Sequence, residues 1–182
     1  MKATGIVRRI DDLGRVVVPK EIRRTLRIRE GDPLEIFTDR EGEIILKKYS
    51  PMGEMSTFAK QYANSLSMVL GCTVCISDQD QIVAAAGSGK KDLQDRHISK
   101  QLTSLMEKRE QKIASASDKN YIKITVEGED GYTNQVVVPI ISDSDVIGSV
   151  CILDRNEKRK FGEMEQKIAG CAANFLGSQM EQ

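Results

Sequence analysis

Short apolar runs separated by turn signals fill the first 50 residues of the chain. Two of these runs, 5–10 and 15–18, flank the turn Asp11–Gly14, and the runs LEIFT and EIILKKY flank a second turn at 39–42. Runs of this length and spacing predict two β-hairpins. Pro19 suits a first helical turn, so a short helix is expected after it, ending before Gly31.

From residue 55 onward, apolar residues recur at helical spacing in three places and at strand spacing in five. The predicted helices are 55–70, 99–112 and 161–180, and the predicted strands are 72–77, 82–86, 121–127, 135–141 and 146–153. Helices and antiparallel strands in this order indicate a single α+β layer domain. The sequence therefore predicts domains at 1–50 and 55–182, joined by a linker at 51–54 that contains Pro51 and Gly53.

The first and last of these helices each carry an apolar stripe, and we expect the stripe of the last helix to face inward. The members in the first helix are Met55, Phe58, Ala59, Tyr62, Ala63, Leu66, Val69 and Leu70, and those in the last are Met164, Ile168, Cys171, Ala172, Phe175 and Leu176. The first stripe could pack on its own domain, pair with a partner helix, or do both.

Charge divides the chain in the same place as the apolar pattern. The total is zero, with 27 basic and 27 acidic residues. Residues 1–50 nevertheless hold 12 Lys+Arg against 9 Asp+Glu, and residues 1–29 hold nine against three. Such a localised basic region attracts a polyanion while the remainder of the molecule repels it.

The predicted helix KEIRRTLR is amphipathic in an unusual way. At about 100° per residue, four cations share one stripe, namely Lys20, Arg23, Arg24 and Arg27. Ile22 and Leu26 fall on the opposite side. Like charges three or four residues apart destabilise a helix by roughly 0.2–0.5 kcal/mol per pair. A stripe that persists against this repulsion indicates a binding surface, although a solvated charged face is the alternative. Arginine forks suit phosphate oxygens and guanine edges.

Several other classes of chemistry find little support in the sequence. His97 is the only histidine and accompanies no nucleophile motif, and AAAGSGKK lacks the first Gly and the Ser/Thr of a P-loop. Cys72 and Cys75 point to opposite faces of a predicted strand, and the other cysteines lie in apolar patterns. We therefore expect no catalytic residues, no metal and no cofactor. The apolar runs are too short to span a bilayer, so a cytoplasmic protein is expected.

The small first domain cannot stabilise itself alone, because about 50 residues with few large apolar side chains bury too little surface. Without a disulfide frame or a metal site, oligomerisation is the remaining route. We therefore expect this half of the chain to be an obligate dimer.

Residues 3–49, with the core DDLGRVVVPKEIRRTLRI, resemble the AbrB-type transition-state regulator DNA-binding domain. The resemblance implies a mostly β swapped-hairpin barrel in which two chains interleave as a dimer, in agreement with the size argument. It places DNA-facing arginines at Arg8, Arg15, Arg23 and Arg24. Arg9 and Lys20 are expected as flanking phosphate contacts.

The phrase VVVPIISDSDVIGSVCIL and the order of elements over 55–180 resemble a GAF domain. The joined architecture resembles forespore transcription regulators of spore-forming bacteria, which implies double-stranded DNA as partner, sporulation genes as targets and activation, repression or both. GAF-like halves that pair across a second interface would produce a homotetramer.

Two other functions stay open on the sequence alone. One is an antitoxin-like interaction module that neutralises a partner and autoregulates on DNA. The other is a sensor whose GAF-like domain binds an unidentified small molecule and switches DNA affinity. A ligand can do so only if it binds the DNA-free and DNA-bound states with different affinity.

Overall fold

A computed structural model describes residues 4–127 and 131–180 of the chain. These residues divide into two compact units, the first ending at Tyr49 and the second beginning at Ser50. We call them unit 1 and unit 2. In the described part of the chain, no helix is long and apolar enough to cross a membrane.

Unit 1 holds one short helix and one hairpin. Helix α1 spans Lys20–Thr25, and strands β1 (Leu34–Thr38) and β2 (Ile44–Lys48) pair antiparallel with Leu34 opposite Lys48. The hairpin matches the predicted runs. The strands predicted at 5–10 and 15–18 do not form in the single chain, where only the turn between them is closed. A strand needs a neighbour for its backbone groups, and one copy of unit 1 supplies none to these segments.

Apolar side chains in unit 1 are largely exposed. Val7 is 85% exposed, Val17 is 72% exposed and Ile44 is 68% exposed. All the large buried hydrophobic side chains that form the described core belong to unit 2. A single copy of unit 1 therefore has secondary structure without a hydrophobic core, as expected for a domain that must bury its apolar residues against another copy.

The elements of unit 2 are α2 (Pro51–Glu54), α3 (Ser56–Leu70), β3 (Thr73–Ser77), β4 (Ile82–Ala86), α4 (Lys90–Leu93), α5 (Lys100–Glu107), β5 (Lys112–Ser115), β6 (Asn134–Ser142), β7 (Asp145–Asp154) and α6 (Glu163–Ser178). Its strands form a five-stranded antiparallel sheet in the order β4-β3-β7-β6-β5. Side chains of α3 and α6 form one core cluster with the sheet, and side chains of α5 belong to a second cluster with it. Both faces of the sheet are therefore covered, which explains why strands β3 and β4 are buried along their whole length.

Three details of unit 2 differ from the sequence predictions. Residues 51–54, expected as a linker, form helix α2, because Met52 is fully buried in the first core cluster. The predicted helix 99–112 ends at Glu107, and the edge strand forms at β5 instead of 121–127. Residues 121–127 keep an alternating pattern because Ile122 and Ile124 enter the second core cluster without a strand ladder.

The apolar stripes of α3 and α6 are only partly buried. In α3 the buried residues are Ala59, Ala63, Ser67 and Leu70, whereas Val69 is 82% exposed. In α6 the buried face consists mainly of small residues such as Ala169 and Ala173. The inward prediction for α6 is wrong for Met164, Cys171 and Phe175, because this helix carries a second apolar flank that faces away from the sheet. Val69 shows that the stripe of α3, whose partner was left open, is also only partly covered by its own domain.

The outer edge of the sheet at β4 is bonded by the segment that follows α4. The Ile82 amide donates to the Arg96 carbonyl at 2.8 Å, and the Asp95 amide donates to the Ile82 carbonyl at 3.1 Å. The Ala85 amide donates to Gln94 Oε1 at 3.0 Å, and Gln94 Nε2 donates to the Val83 carbonyl at 3.2 Å. The carboxamide of Gln94 thus takes the hydrogen-bonding place of a neighbouring strand residue.

Candidate nucleic-acid interface

The turn Asp11–Gly14 fixes the position of Arg15. The Asp11 amide donates to the Arg15 carbonyl and the Gly14 amide donates to the Asp11 carbonyl, each at 3.0 Å, with Gly14 at a φ of 75°. Asp11 Oδ1 also accepts the amides of Leu13 and Arg15, at 3.0 and 2.8 Å. A short Asp-x-x-Gly segment therefore holds the backbone at the base of the Arg15 side chain.

Arg15 itself is directed by the same aspartate. Its Nε donates to Asp11 Oδ2 at 2.8 Å, while 68% of the side chain stays exposed. The Arg15 amide, and then the Arg15 guanidinium, lower the pKa of Asp11. Asp11 is a positioning residue that sequence reasoning treated only as a turn former. The sequence pattern that could have predicted this role is a carboxylate four residues before an arginine, with a glycine turn between them.

Arg8 and Arg9 lie in the extended segment that leads into this turn, and both are exposed. Arg9 lies two residues before Asp11, and Arg15 leaves the turn on its other side. The predicted cations Arg9 and Arg15 thus lie on the two arms of the turn, close to it in sequence. Among the described contacts, Arg8 Nη1 donates to the neighbouring Val7 carbonyl at 3.4 Å.

Helix α1 carries the remaining predicted cations. Lys20 and Arg24 are exposed and lie four residues apart on one face. Arg23 differs, because it is half-buried and its Nε is buried without a hydrogen-bond partner among the described residues. A buried donor without a partner costs about 1–3 kcal/mol, so the single chain leaves the Arg23 guanidinium incompletely satisfied.

The predicted cation stripe is one member shorter than expected. The Ile28 amide donates to the Arg23 carbonyl at 2.8 Å and the Arg27 amide donates to the Arg24 carbonyl at 3.3 Å, which is the bonding pattern of a Schellman helix end. Arg27 occupies the left-handed position of this motif, with a φ of 54°. It therefore leaves the helical stripe of Lys20, Arg23 and Arg24.

A second exposed surface lies on α3 and α6, which we call the outer helix face. Phe58, Tyr62 and Phe175 form an aromatic cluster with ring centroids 5.4 to 6.2 Å apart. An open groove beside Phe175 is lined by further α6 residues, among them Gly170 and Cys171. On the same two helices, Met68 is 85% exposed and Met164 is 61% exposed. Large apolar side chains gathered on two neighbouring helices are typical of a protein interface.

Cys75, Leu93, Leu102 and Cys151 are fully buried in the second core cluster. Tyr132 is 4% exposed and packs directly against Gly89, and burial is the main cause that raises the pKa of Tyr132 to about 12. Tyr132 therefore occupies the space next to Gly89 in the AAAGSGKK loop.

The cysteine prediction is confirmed in its geometry. Cys72 belongs to the first core cluster and Cys75 to the second, so the two thiols lie on opposite faces of the sheet. Burial raises the pKa of Cys72 to about 11, so this thiol stays protonated at neutral pH. Among residues 4–127 and 131–180, no group of three or more His, Cys, Asp or Glu side chains could hold a metal ion.

Comparison of unit 2 with solved structures shows its fold. The GAF domain of a phosphoenolpyruvate-protein phosphotransferase from Acinetobacter aligns with a TM-score of 0.57 at 12% identity, over 74% of this chain and 84% of that one. The GAF domain of PixJ from Thermosynechococcus elongatus aligns with a TM-score of 0.55 at 17% identity, over 74% and 89%. The predicted GAF-like fold of the second half is therefore confirmed.

Sequence comparison relates unit 1 to known DNA-binding and antitoxin proteins. Residues 7–54 match the family model of the MazE bacterial antitoxin, described as antidote-toxin recognition. The transition state regulatory protein AbrB of Bacillus subtilis is 67% identical over 51 residues, which cover 28% of this chain and 52% of AbrB. This similarity confirms the AbrB-like character of unit 1.

The whole chain has a relative of the same length. Stage V sporulation protein T of Bacillus subtilis is 51% identical over 182 residues, which cover all of both chains. Residues 54–181 match the family model described as stage V sporulation protein T C-terminal, transcription factor. Because the identity extends through both units and the family model covers most of the chain, the protein belongs to the stage V sporulation protein T family of transcription regulators.

Proposed function

We propose that two copies of unit 1 interleave their hairpins into one module that binds duplex DNA. The observation that carries this proposal is the exposure of apolar side chains throughout unit 1, together with two unpaired segments of strand length at 5–10 and 15–18. A second copy supplies both a partner strand and a hydrophobic core. The AbrB-like sequence of the unit supports the same arrangement.

The DNA-facing groups of this module are Arg8, Arg15, Arg23 and Arg24, with Arg9 and Lys20 as flanking phosphate contacts. Arg15 is already held in place by Asp11, so it loses little side-chain entropy on binding. Arg23 has a buried donor that a phosphate oxygen or a second copy can satisfy. Arg24 and Lys20 offer exposed cations on one helix face.

A salt series tests the proposal. Fluorescence anisotropy with a fixed duplex gives the dependence of log K on log salt, whose slope is about −0.9 per phosphate contact for B-DNA. In a dimeric module, Arg24→Ala removes two copies of one contact, so the slope shrinks by about two. Lys158→Ala, an exposed cation of unit 2, is the matched control and leaves the slope unchanged. Equal slopes for Arg24→Ala and the native chain would remove Arg24 from the interface.

We further propose that the outer helix face joins two such dimers into a tetramer. The partner is a second copy of unit 2, because the exposed apolar side chains lie on the two neighbouring helices α3 and α6. Met68→Glu keeps helix propensity and alters a side chain that is 85% exposed, so it leaves the fold of unit 2 intact. Sedimentation is expected to show tetramers of the native chain and dimers of Met68→Glu. Tetramers of both chains would exclude Met68 from the interface.

A tetramer carries two DNA-binding modules, and the second module then binds at an effective concentration set by its tether. We propose that this regulator acts in the forespore cytoplasm on sporulation genes, as an activator, a repressor or both, and that it catalyses no reaction. The family relationship supports this role.

The antitoxin-like alternative draws support from the match of residues 7–54 to the MazE family model. Antitoxins of this kind typically neutralise partners with a disordered tail. In this chain a folded α+β unit follows the matched region. Co-purification of a stoichiometric small basic protein with the full chain would support the antitoxin role, whereas a DNA-binding chain that purifies without such a partner supports the regulator.

A further inference from the structure

A polar cleft lies where strand β5 ends and strand β6 begins. Its volume is about 290 Å³. The residues that line it include Ser115, Thr133, Asn134, Glu157 and Lys160, which come from β5, from the start of β6 and from the segment between β7 and α6. Drug-sized ligands occupy pockets of about 300–1,000 Å³, so this cleft suits a smaller molecule.

The buried side of the cleft is a network in which the side-chain donors are already used. Ser115 Oγ donates to Asn134 Oδ1 at 2.9 Å. Asn134 Nδ2 donates to Thr133 Oγ1 at 3.2 Å and to the Asn156 carbonyl at 3.1 Å. Thr133 Oγ1 in turn donates to the Asp154 carbonyl at 3.3 Å. Because Asn134 is only 2% exposed, this network is fixed within the fold of unit 2.

Two backbone amides beside the cleft are used in the same way. The Ser115 amide donates to Asp118 Oδ2 at 2.7 Å, and the Thr133 amide donates to the Asp154 carbonyl at 2.8 Å. The side chains of Ser115, Thr133 and Asn134 can therefore offer a ligand only the remaining lone pairs of their oxygen atoms. Such a surface favours a ligand that donates hydrogen bonds, and a primary ammonium group has three donors.

Two opposite charges on the rim of the cleft have no partner in the described part of the chain. Glu157 and Lys160 both line the cleft and are exposed. Neither takes part in an ion pair or a side-chain hydrogen bond among the described residues, whereas Arg159 between them pairs with Asp154 and Glu165. A carboxylate and an ammonium that line one cleft without pairing are available to a ligand that carries both charges.

We propose that this cleft is a binding site for a small free α-amino acid. The α-ammonium group donates to the Glu157 carboxylate and to the acceptor oxygens of Ser115 and Asn134, and the α-carboxylate accepts from the Lys160 ammonium. A free amino acid carries its two charges on neighbouring groups, whereas a peptide carries them at opposite ends. All the lining residues belong to unit 2, so the inference is independent of the DNA-binding proposal for unit 1.

Isothermal titration calorimetry of the full chain tests the site with five probes, namely glycine, L-alanine, L-serine, L-threonine and L-asparagine. For the probe that binds most tightly, two analogues each lack one charge. The matched amine lacks the carboxylate, and the matched 2-hydroxy acid carries a hydroxyl in place of the ammonium. We expect each analogue to bind at least about tenfold more weakly than the amino acid, because a hydrogen bond between charged groups is lost.

Three substitutions in one loop assign the two charges of the ligand. Glu157→Gln and Lys160→Gln each remove one charge from an exposed side chain, and Lys158→Gln is the matched control because Lys158 is exposed but does not line the cleft. We expect Lys160→Gln to lose the preference for the amino acid over the amine. We expect Glu157→Gln to lose the preference for the amino acid over the hydroxy acid, and Lys158→Gln to behave like the native chain.

Three results would overturn the inference. One is that none of the five amino acids binds at millimolar concentration, by calorimetry or by saturation-transfer NMR. Another is equal affinity of the native chain for the amino acid and for either analogue, which would show that the site recognises a single charge. The third is native selectivity in both Glu157→Gln and Lys160→Gln, which would place the bound amino acid elsewhere. None of these results involves DNA, so each leaves the function proposed for unit 1 intact.

Discussion

The sharpest packing prediction concerns two glycines of helix α6 that differ only in what faces them. A Cβ on Gly177 would lie 2.1 Å from the Ile141 carbonyl oxygen and 3.1 Å from its carbon, which are backbone atoms of β6. A Cβ on Gly170 would have no atom outside the local helix within 4 Å. Gly177→Ala and Gly170→Ala are therefore a matched pair on one helix.

The expected magnitudes follow from these distances. Ordinary contact begins near 3.4 Å, so Gly177→Ala forces α6 and β6 apart by about 1.3 Å. Overpacking of this kind costs about 1–3 kcal/mol, with the upper end expected for a clash with backbone, and better helix propensity returns up to about 1 kcal/mol. The net loss is about 2 kcal/mol, whereas Gly170→Ala gains up to about 1 kcal/mol. For a chain of this size, the melting temperature changes by about 2–4 °C per kcal/mol.

Thermal unfolding of the full chain, followed by circular dichroism at 222 nm, measures both changes. We expect Gly177→Ala to melt about 4–8 °C below the native chain and Gly170→Ala to melt up to about 4 °C above it. Because Gly170 lies beside the outer helix face, the comparison is made at two protein concentrations to detect any change in assembly. A Gly177→Ala chain that melts at or above the native temperature would refute the close approach of α6 to β6.

Three further predictions concern unit 1 and the outer helix face. Burial alone would raise the pKa of Asp32, but the Arg29 amide and the Lys48 ammonium lower this pKa overall. The ionised carboxylate of Asp32 therefore stabilises the fold above its unfolded pKa of about 4, and this stability is lost as the pH falls through the folded pKa. An acid titration of the free energy of unfolding is expected to lack this loss in Asp32→Asn. Cys171 is exposed in the single chain beside the groove on α6. If the outer helix face joins two dimers, the reaction of Cys171 with a water-soluble disulfide reagent is expected to be slow in the tetramer and faster after dilution. A reaction rate that does not depend on protein concentration would contradict an interface on this face. Arg27 has a left-handed backbone conformation, which is unfavourable for a residue with a Cβ and suits glycine. Urea unfolding at fixed protein concentration is therefore expected to give Arg27→Gly a free energy of unfolding up to about 1 kcal/mol higher than that of the native chain. A lower free energy of unfolding would contradict backbone strain at Arg27.

Where a pattern depended on local chemistry, the sequence predicted it well. Ile82–Ala86 forms the predicted strand, and the strands around Val137 and Val150 differ from prediction by one residue at each end. These strands are bounded by turn residues such as Asp78 and Asp143, whose side chains or backbone favour a turn. Local turn chemistry and apolar runs suffice to define such elements.

Where the outcome depended on a partner, the sequence was ambiguous or misleading. The segments 5–10 and 15–18 have a strand pattern but form no strand in one chain, because their pairing partner is not local. Val69 and Phe175 continue an apolar helical stripe, yet they face away from the sheet. Periodicity reports that a side chain is apolar and on which side of a helix it lies, but not whether its own chain or another copy covers it.

Within the candidate interface, the sequence identified the cations but not their individual environments. It placed Arg27 on the helix stripe because the pattern KEIRRTLR continues smoothly, whereas the helix ends one turn earlier in a Schellman motif. It also gave no sign that Arg23 would be half-buried or that Asp11 would hold Arg15. Such differences arise from backbone geometry that is set by contacts three to five residues away. The roles of the six cations on DNA remain predictions.

The carboxamide of Gln94 has a consequence for how this protein avoids forming fibres. An open strand at the end of a sheet is a template on which further copies can add without limit, and β4 is apolar along its whole length. The Gln94 side chain bonds the Ala85 amide and the Val83 carbonyl, and the backbone of Asp95 and Arg96 bonds Ile82, so these groups of β4 are not available to another strand. Because these groups are occupied, addition of a strand at this edge is disfavoured, which leaves other surfaces as the ones through which copies can form a closed complex.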